Sequence, residues 1–266
     1  MSISEVFEKA RAEGRAVSVG CMPAGFPTVE GSIAAMIAMA EAGIDVIEVE
    51  LPYSDPVMDG PVIQRASEIA LAGGVRTKDT LRAIEAVART GVPVVLMTYW
   101  NPIERYGVDA FARDFAAAGG AGLVTPDLIP DEAQEWLAAS DAHQLDRTFL
   151  VSPSSTDERL AMTVAHCRGF VYATAVMGVT GARETTSTAA PALVARVRAV
   201  SDIPVGVGLG VRDGAQAAEV GSFADGVIVG SALVRCVLDA PDEAAGLASL
   251  RALSADLARG VRAVKR

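Results

Sequence analysis

The stretch Ile44-Asp-Val-Ile-Glu-Val-Glu-Leu51 runs without a gap into Pro52-Tyr-Ser-Asp-Pro-Val-Met-Asp-Gly-Pro61 and then Val62-Ile-Gln-Arg-Ala-Ser-Glu-Ile-Ala-Leu-Ala72. It reads as a short β-branched strand, a proline-broken loop and an Ala-rich helix. Together these make one βα unit with a strand apolar enough to be covered on both faces. Yet that strand carries Glu48 and Glu50, and its loop carries Asp55 and Asp59. Carboxyls in a buried strand are costly unless they are paired, protonated or used in chemistry.

Working outward, the same unit recurs along the chain. Short apolar runs fall at Ala16–Met22, Asp45–Leu51, Val92–Thr98, Gly122–Thr125, Thr148–Ser152, Phe170–Ala175, Pro204–Gly208 and Gly226–Gly230. Helical stretches follow at Glu30–Ala42, Val62–Ala72, Val108–Ala118, Asp131–Ala142, Asp157–His166, Ala190–Ala199, Gly214–Val220 and Glu243–Leu257. Thr28, Asp131 and Thr156 stand where N-caps belong, and Gly43, Gly73-Gly74, Gly119-Gly120 and Gly221 stand where helices stop. Eight such units predict an α/β fold, a single (β/α)8 TIM barrel over 1–266. It carries an extra N-terminal helix within Met1–Arg15, an extra helix at Thr77–Arg89 before strand three, and another from Ser231 after strand eight. The competing open doubly wound sheet lacks a G-x-G-x-x-G after its first strand.

At 266 residues, 51% hydrophobic and 21% charged, the chain suits one large core. A net charge of −10 repels nucleic acid and anionic membrane, so neither is an expected partner. The longest apolar stretches fall short of the roughly 18 residues of a membrane span. Cys21, Cys167 and Cys236 are scattered, with no C-x-x-C, which points to a reducing, cytoplasmic setting.

In a barrel, chemistry sits at the C-terminal ends of the strands. Glu48 and Glu50 are two apart and share one strand face, so an inward pair near the top meets the pocket. Burial there raises a carboxyl pKa, which suits a group that both takes and gives a proton. The alternative is a structural ion pair at the barrel mouth. Asp59 is placed to fold back over the pocket, whereas Asp55 also fits a plain turn. Three late turns are glycine-rich: Met177-Gly-Val-Thr-Gly181, Val207-Gly-Leu-Gly-Val211 and Val229-Gly-Ser-Ala232. One such turn signifies only tight geometry. Three in succession, with a helix opening at Ser231, predict a bound phosphate.

Absences narrow the chemistry. The lysines are Lys9, Lys78 and Lys265, and none ends a predicted strand, which disfavours a Schiff base. His143 and His166 lie in or beside helices, away from the mouth, so neither a His-rich metal site nor a Ser-His-Asp triad is expected. Cys21, at the end of strand one, reads as a small buried filler. Carboxylate acid–base chemistry on a phosphorylated substrate remains.

Several segments, in order along the chain, resemble the α subunit of tryptophan synthase. They are Glu48-Val-Glu-Leu-Pro-Tyr-Ser-Asp-Pro-Val-Met-Asp-Gly-Pro61, Met97-Thr-Tyr-Trp-Asn-Pro102, Thr125-Pro-Asp-Leu128, Gly178-Val-Thr-Gly181, Val207-Gly-Leu-Gly210 and Gly230-Ser231. The resemblance implies retro-aldol cleavage of indole-3-glycerol phosphate to indole and glyceraldehyde 3-phosphate, with no cofactor in this chain. It implies Glu48 as the proton shuttle and Asp59 as acceptor of the indole N–H. It further implies Thr180 as the residue closing the site, Tyr172 as a pocket aromatic, and the amides of Gly181, Gly210, Gly230 and Ser231 as phosphate donors. Asp55 and Pro56 resemble the edge that meets a PLP-dependent β subunit in an α2β2 heterotetramer. The chain departs from the family at two places. Glu50 stands where the family usually has Gly, and Cys21 where it usually has an aromatic residue. A second acid should raise the pKa of Glu48 and crowd the substrate, or else the strand twists Glu50 outward into an ion pair. Glu50 therefore keeps a second expectation open, a catalytically weak barrel that mainly activates its β partner. Another phosphate-binding barrel isomerase is the third.

Overall fold

Residues 2–174, 189–208 and 210–264 are described by the computed structural model. In chain order they form α1 (Ile3–Ala12), β1 (Val17–Pro23), α2 (Val29–Glu41), β2 (Val46–Glu50), α3 (Pro61–Ala72), α4 (Thr77–Ala88) and β3 (Val94–Met97). Next come α5 (Trp100–Tyr106), α6 (Val108–Ala117), β4 (Gly120–Val124), a 3-10 turn (Pro130–Glu132), α7 (Gln134–Ala142), β5 (Asp146–Thr148) and β6 (Leu150–Val151). The remainder is α8 (Asp157–Ala165), β7 (Val171–Thr174), α9 (Ala189–Arg198), β8 (Val205–Gly208), α10 (Gly214–Gly221), β9 (Gly226–Val229), α11 (Ser231–Leu238) and α12 (Glu243–Ala263).

All pairings are parallel, in the order β5-β4-β3-β2-β1-β9-β8-β7-β6. The predicted fifth strand, Thr148–Ser152, is split: β5 pairs with β4, β6 pairs with β7, and Phe149 joins them. The carbonyl of Phe149 still accepts from the Tyr172 amide at 3.2 Å. One continuous run thus serves two neighbours from its two halves and completes the (β/α)8 ring.

The core is double. An outer layer between strands and helices includes Ile47, Val49, Leu96, Val171 and Val207. The barrel interior holds Val17, Val19, Cys21, Val46, Val95, Val124, Phe170 and Ile228. Ile3, Val6, Phe7 and Ala10 of α1 join this inner cluster, with the Phe7 and Phe170 rings 5.6 Å apart. The amphipathic first helix therefore plugs the N-terminal end. Its start is fixed by a capping box, in which the Glu5 amide donates to Ser2 and the Ser2 amide donates to Glu5. At this same end Asp45 accepts from Arg15 at 3.0 Å, from the Ser18 amide and hydroxyl at 2.9 and 2.8 Å, and from Arg262 at 3.1 Å. The opposite, C-terminal end is left for chemistry.

Some local expectations shift. Thr28 and Thr156 do cap helices, accepting from the amides of Gly31 and Arg159. Asp131 does not: it lies in the 3-10 turn and pairs with Arg159 at 2.8 Å. Helix α10 runs through Gly221 rather than stopping before it. Helix α12 crosses α10 so closely that a Cβ on Gly260 would lie 2.1 Å from the Gly214 carbonyl oxygen. Among the described residues, no helix is long and apolar enough to cross a membrane.

Candidate active site

Strand β2 aims its acids by simple alternation. Val46 belongs to the barrel interior and Ile47 and Val49 to the outer layer, so Glu48 and Glu50 follow Val46 inward. Both are buried, at 1% and 7% exposure. The strand stays regular at Glu50, so the outward twist into an ion pair does not occur. The β1–β2 register sets Cys21 beside Glu48 and Pro23 beside Glu50. Burial pushes the Glu48 carboxyl up to about 7, against a lowering hydrogen bond from the Cys21 thiol. Burial, then the Asp59 charge, then the Glu48 charge push Glu50 well above the usual carboxylate range. For Glu48, desolvation rather than repulsion by a second acid is the main cause. Cys21, 2% exposed, is more than filler, because it touches the proposed proton shuttle.

Asp59 does fold back. It is 5% exposed, and burial raises its pKa despite the hydroxyl of Tyr99, which donates to Oδ1 at 2.7 Å. Tyr99 also accepts from the Met58 amide at 3.0 Å and packs against Tyr53 with ring centroids 5.2 Å apart and the rings tilted by 32°, while Gln64 donates to the Asp59 carbonyl at 2.7 Å. Sequence reading gave Tyr99 no role. It lies inside Met97-Thr-Tyr-Trp-Asn-Pro102, but its partner is in another loop, and only the β2–β3 neighbourhood brings the two together.

Tyr172, on β7, lies against the same group: burial, then the charges of Glu48, Cys21 and Glu50, drive its phenol well above 10.0. A Cβ on Gly208 would sit 2.5 Å from its hydroxyl. At the end of β9, beside β1, Gly230 precedes α11 without a side-chain cap, and Ser231 opens that helix. A Cβ on Gly230 would meet Cys21 Cβ at 3.5 Å and Glu50 Oε1 at 3.7 Å, which puts the proposed phosphate amides next to the acids. Gly210 turns the chain after β8 at φ +68°. Asp55 is exposed and accepts from the Ser54 hydroxyl at 2.6 Å, with Pro56 beside it and Val57 68% exposed. Thr180 and Gly181 lie outside the described residues.

Barrels work at this end, and here it is lined with buried acids: fold and site define a (β/α)8-barrel enzyme of carboxyl acid–base type. Comparison with known proteins narrows that class. The family model described as "Tryptophan synthase alpha chain" matches residues 7–262. The tryptophan synthase alpha chain of Salinispora arenicola is 80% identical over 260 residues, spanning 98% of this chain and 97% of that one. A solved structure of Mycobacterium tuberculosis tryptophan synthase superposes with a TM-score of 0.93 at 63% identity, covering 98% of both chains. The subunit alpha from Legionella pneumophila gives 0.86 at 34% identity, covering 98% of both chains. The chain belongs to the tryptophan synthase alpha chain family.

Proposed function

We propose that this chain cleaves indole-3-glycerol phosphate by a retro-aldol reaction on its own carboxyls, with no cofactor. A proton is delivered to indole C3 and another leaves the glycerol hydroxyl. The O–H electron pair becomes the carbonyl, the C–C pair returns to the ring, and indole and glyceraldehyde 3-phosphate separate. Glu48 moves both protons, and Asp59 accepts from the indole N–H and offsets the positive charge that C3 protonation creates. Tyr172 packs the ring, Thr180 closes the site, and the amides of Gly181, Gly210, Gly230 and Ser231 hold the phosphate at the start of α11. The observation that carries this reading is the inward, buried Glu48 with its pKa pushed up to about 7. Such a group exchanges protons readily near neutral pH.

The partner is a tryptophan synthase β subunit, in an α2β2 assembly that holds PLP on the β side. Support comes from the solved relatives, which are tryptophan synthases, one in an aminoacrylate-bound form. The loop carrying Asp55, Pro56 and exposed Val57 is the proposed docking edge. We take residues 1–266 as one domain with a cytoplasmic setting, in keeping with three free cysteines.

Indole release by the purified chain, alone and with a β subunit, tests the proposal. Glu48→Gln and Asp59→Asn should each abolish release while the circular dichroism stays native. An active Glu48→Gln protein would overturn the assignment. Glu50, held in the pocket, favours one second reading, a weak lyase that chiefly activates its partner. A Glu50→Gly variant with a large gain in indole release would support it.

A further inference from the structure

Cys21 and Glu50 are left over by the acid–base reading. A ligand atom of Cys21, one of Glu48 and one of Glu50 all lie within 4.8 Å of one another. All three side chains are more than nine-tenths buried. Glu48 Oε2 and Glu50 Oε2 are enclosed and find no hydrogen-bond partner among the described residues. Buried acceptors without donors are expensive and call for a missing group. Among the described residues, the charges acting on Glu50 come from Asp59 and Glu48, and both are acids. The group that fits such a gap is positive and compact. The arrangement is fixed, because Cys21 and Glu48 are direct neighbours across the β1–β2 ladder.

We propose that Cys21, Glu48 and Glu50 form a three-ligand site for a thiophilic divalent cation of the zinc class, and that filling it switches off the acid–base site. Tetrahedral zinc with one sulfur and two carboxylate oxygens holds those atoms roughly 3.5 Å apart. Binding therefore requires the three atoms, now within 4.8 Å of one another, to draw in. The sulfur selects the metal: magnesium and calcium ask for six or more oxygens, whereas a thiolate favours zinc or cadmium. Binding is an exchange without redox change. The metal–sulfur bond replaces S–H, each metal–oxygen bond replaces any carboxyl O–H, and the protons pass to solvent. A Glu48 oxygen held by metal can no longer move protons to and from a substrate. The binding half stands on geometry alone, and the inhibition half rests on the lyase reading.

Titration of the purified full chain with Zn2+ by calorimetry, and with Cd2+ by ultraviolet sulfur-to-metal charge-transfer absorption, tests both halves. One equivalent of metal and a charge-transfer band are expected. Cys21→Ser should lose the band, and Glu50→Gln should keep the band with affinity reduced about tenfold or more. A Cys167→Ser/Cys236→Ser double variant should bind like the parent. Circular dichroism and Tm of each variant guard against loss of fold. No band in the parent, a band that survives Cys21→Ser, or an affinity unchanged in Glu50→Gln overturns the site. Indole release should fall in proportion to occupancy. Stoichiometric binding with unchanged release overturns the inhibition. A chain that releases no indole even without metal defeats the lyase reading, while the band still decides the site.

Discussion

Replacing Glu48 by Gln is expected to stabilise the fold in alkali and to leave it nearly unchanged in acid. The native carboxyl sits at about 7, against 4.5 when exposed. For a group raised on folding, the stabilisation is complete below the unfolded value and is lost as pH climbs through the folded one. Below 4.5 both states carry the neutral acid, and above 7 the folded chain must hold a buried anion. The interval of about 2.5 units, at roughly 1.4 kcal/mol each, makes the loss about 3.5 kcal/mol. Glutamine keeps an oxygen for the Cys21 thiol and never ionises, so it escapes that loss. Glu50, also raised, contributes to first order equally in both proteins. For a chain of this size about 3.5 kcal/mol corresponds to a Tm gain of roughly 7–14 °C. Thermal unfolding followed by circular dichroism at pH 5 and pH 8.5, at matched ionic strength, gives the variant-minus-parent difference at each pH. Comparing the two differences cancels any constant packing effect. A difference that does not grow between pH 5 and pH 8.5 would refute the claim that Glu48 is desolvated.

Tyr99→Phe removes the hydroxyl that holds Asp59 and accepts from Met58. A hydrogen bond to a charged group is worth about 1.5–3 kcal/mol, so indole release should fall about ten- to a hundredfold in kcat/KM, read by steady-state kinetics. Gly208→Ala pushes a methyl to within 2.5 Å of the Tyr172 hydroxyl, so KM should rise, and adding Tyr172→Phe should recover part of it. Asp45→Ala strips the shared acceptor from Arg15, Arg262 and Ser18 at the far end of the barrel. Arg15 keeps its pair with Glu13 and Arg262 is 41% exposed, so about 1–3 kcal/mol should be lost in urea unfolding, with indole-release kinetics at 25 °C unchanged.

Much of this was legible in the sequence because βα units are local. The runs of β2 and α3, the additional α4 and the opening of α11 at Ser231 are each set by their own residues. The inward pairing of Glu48 and Glu50 followed from strand alternation alone. Helix α5 was missed because Trp100-Asn-Pro102 reads as loop; Pro102 is tolerated there since it falls in the first turn, where its missing N–H has no partner to lose. The break at Phe149 was invisible for a different reason. It answers to hydrogen bonds with β4 on one side and β7 on the other, which no local pattern encodes. The same holds for the contact of Cys21 with Glu48 and for Tyr99 with Asp59: both are products of register between distant segments. Thr180 and Gly181 lie outside the described residues.

The seam between β1 and β9 sets Val17 against Gly226, and it has a consequence for how the protein is made. A ribosome releases β1 and β2, with Glu48 and Glu50, long before β9 and Ser231 emerge. Until then the β1 edge stays unpaired and both acids stay in water, where their ionisation costs nothing. The most non-local pairing of the ring is also the step that seals the pocket. A nascent chain without β9 therefore carries no complete mouth and exposes an unpaired strand edge, the kind of edge that favours aggregation. Burial of the acids is thus tied to completion of the ring, which needs β9 to have been made.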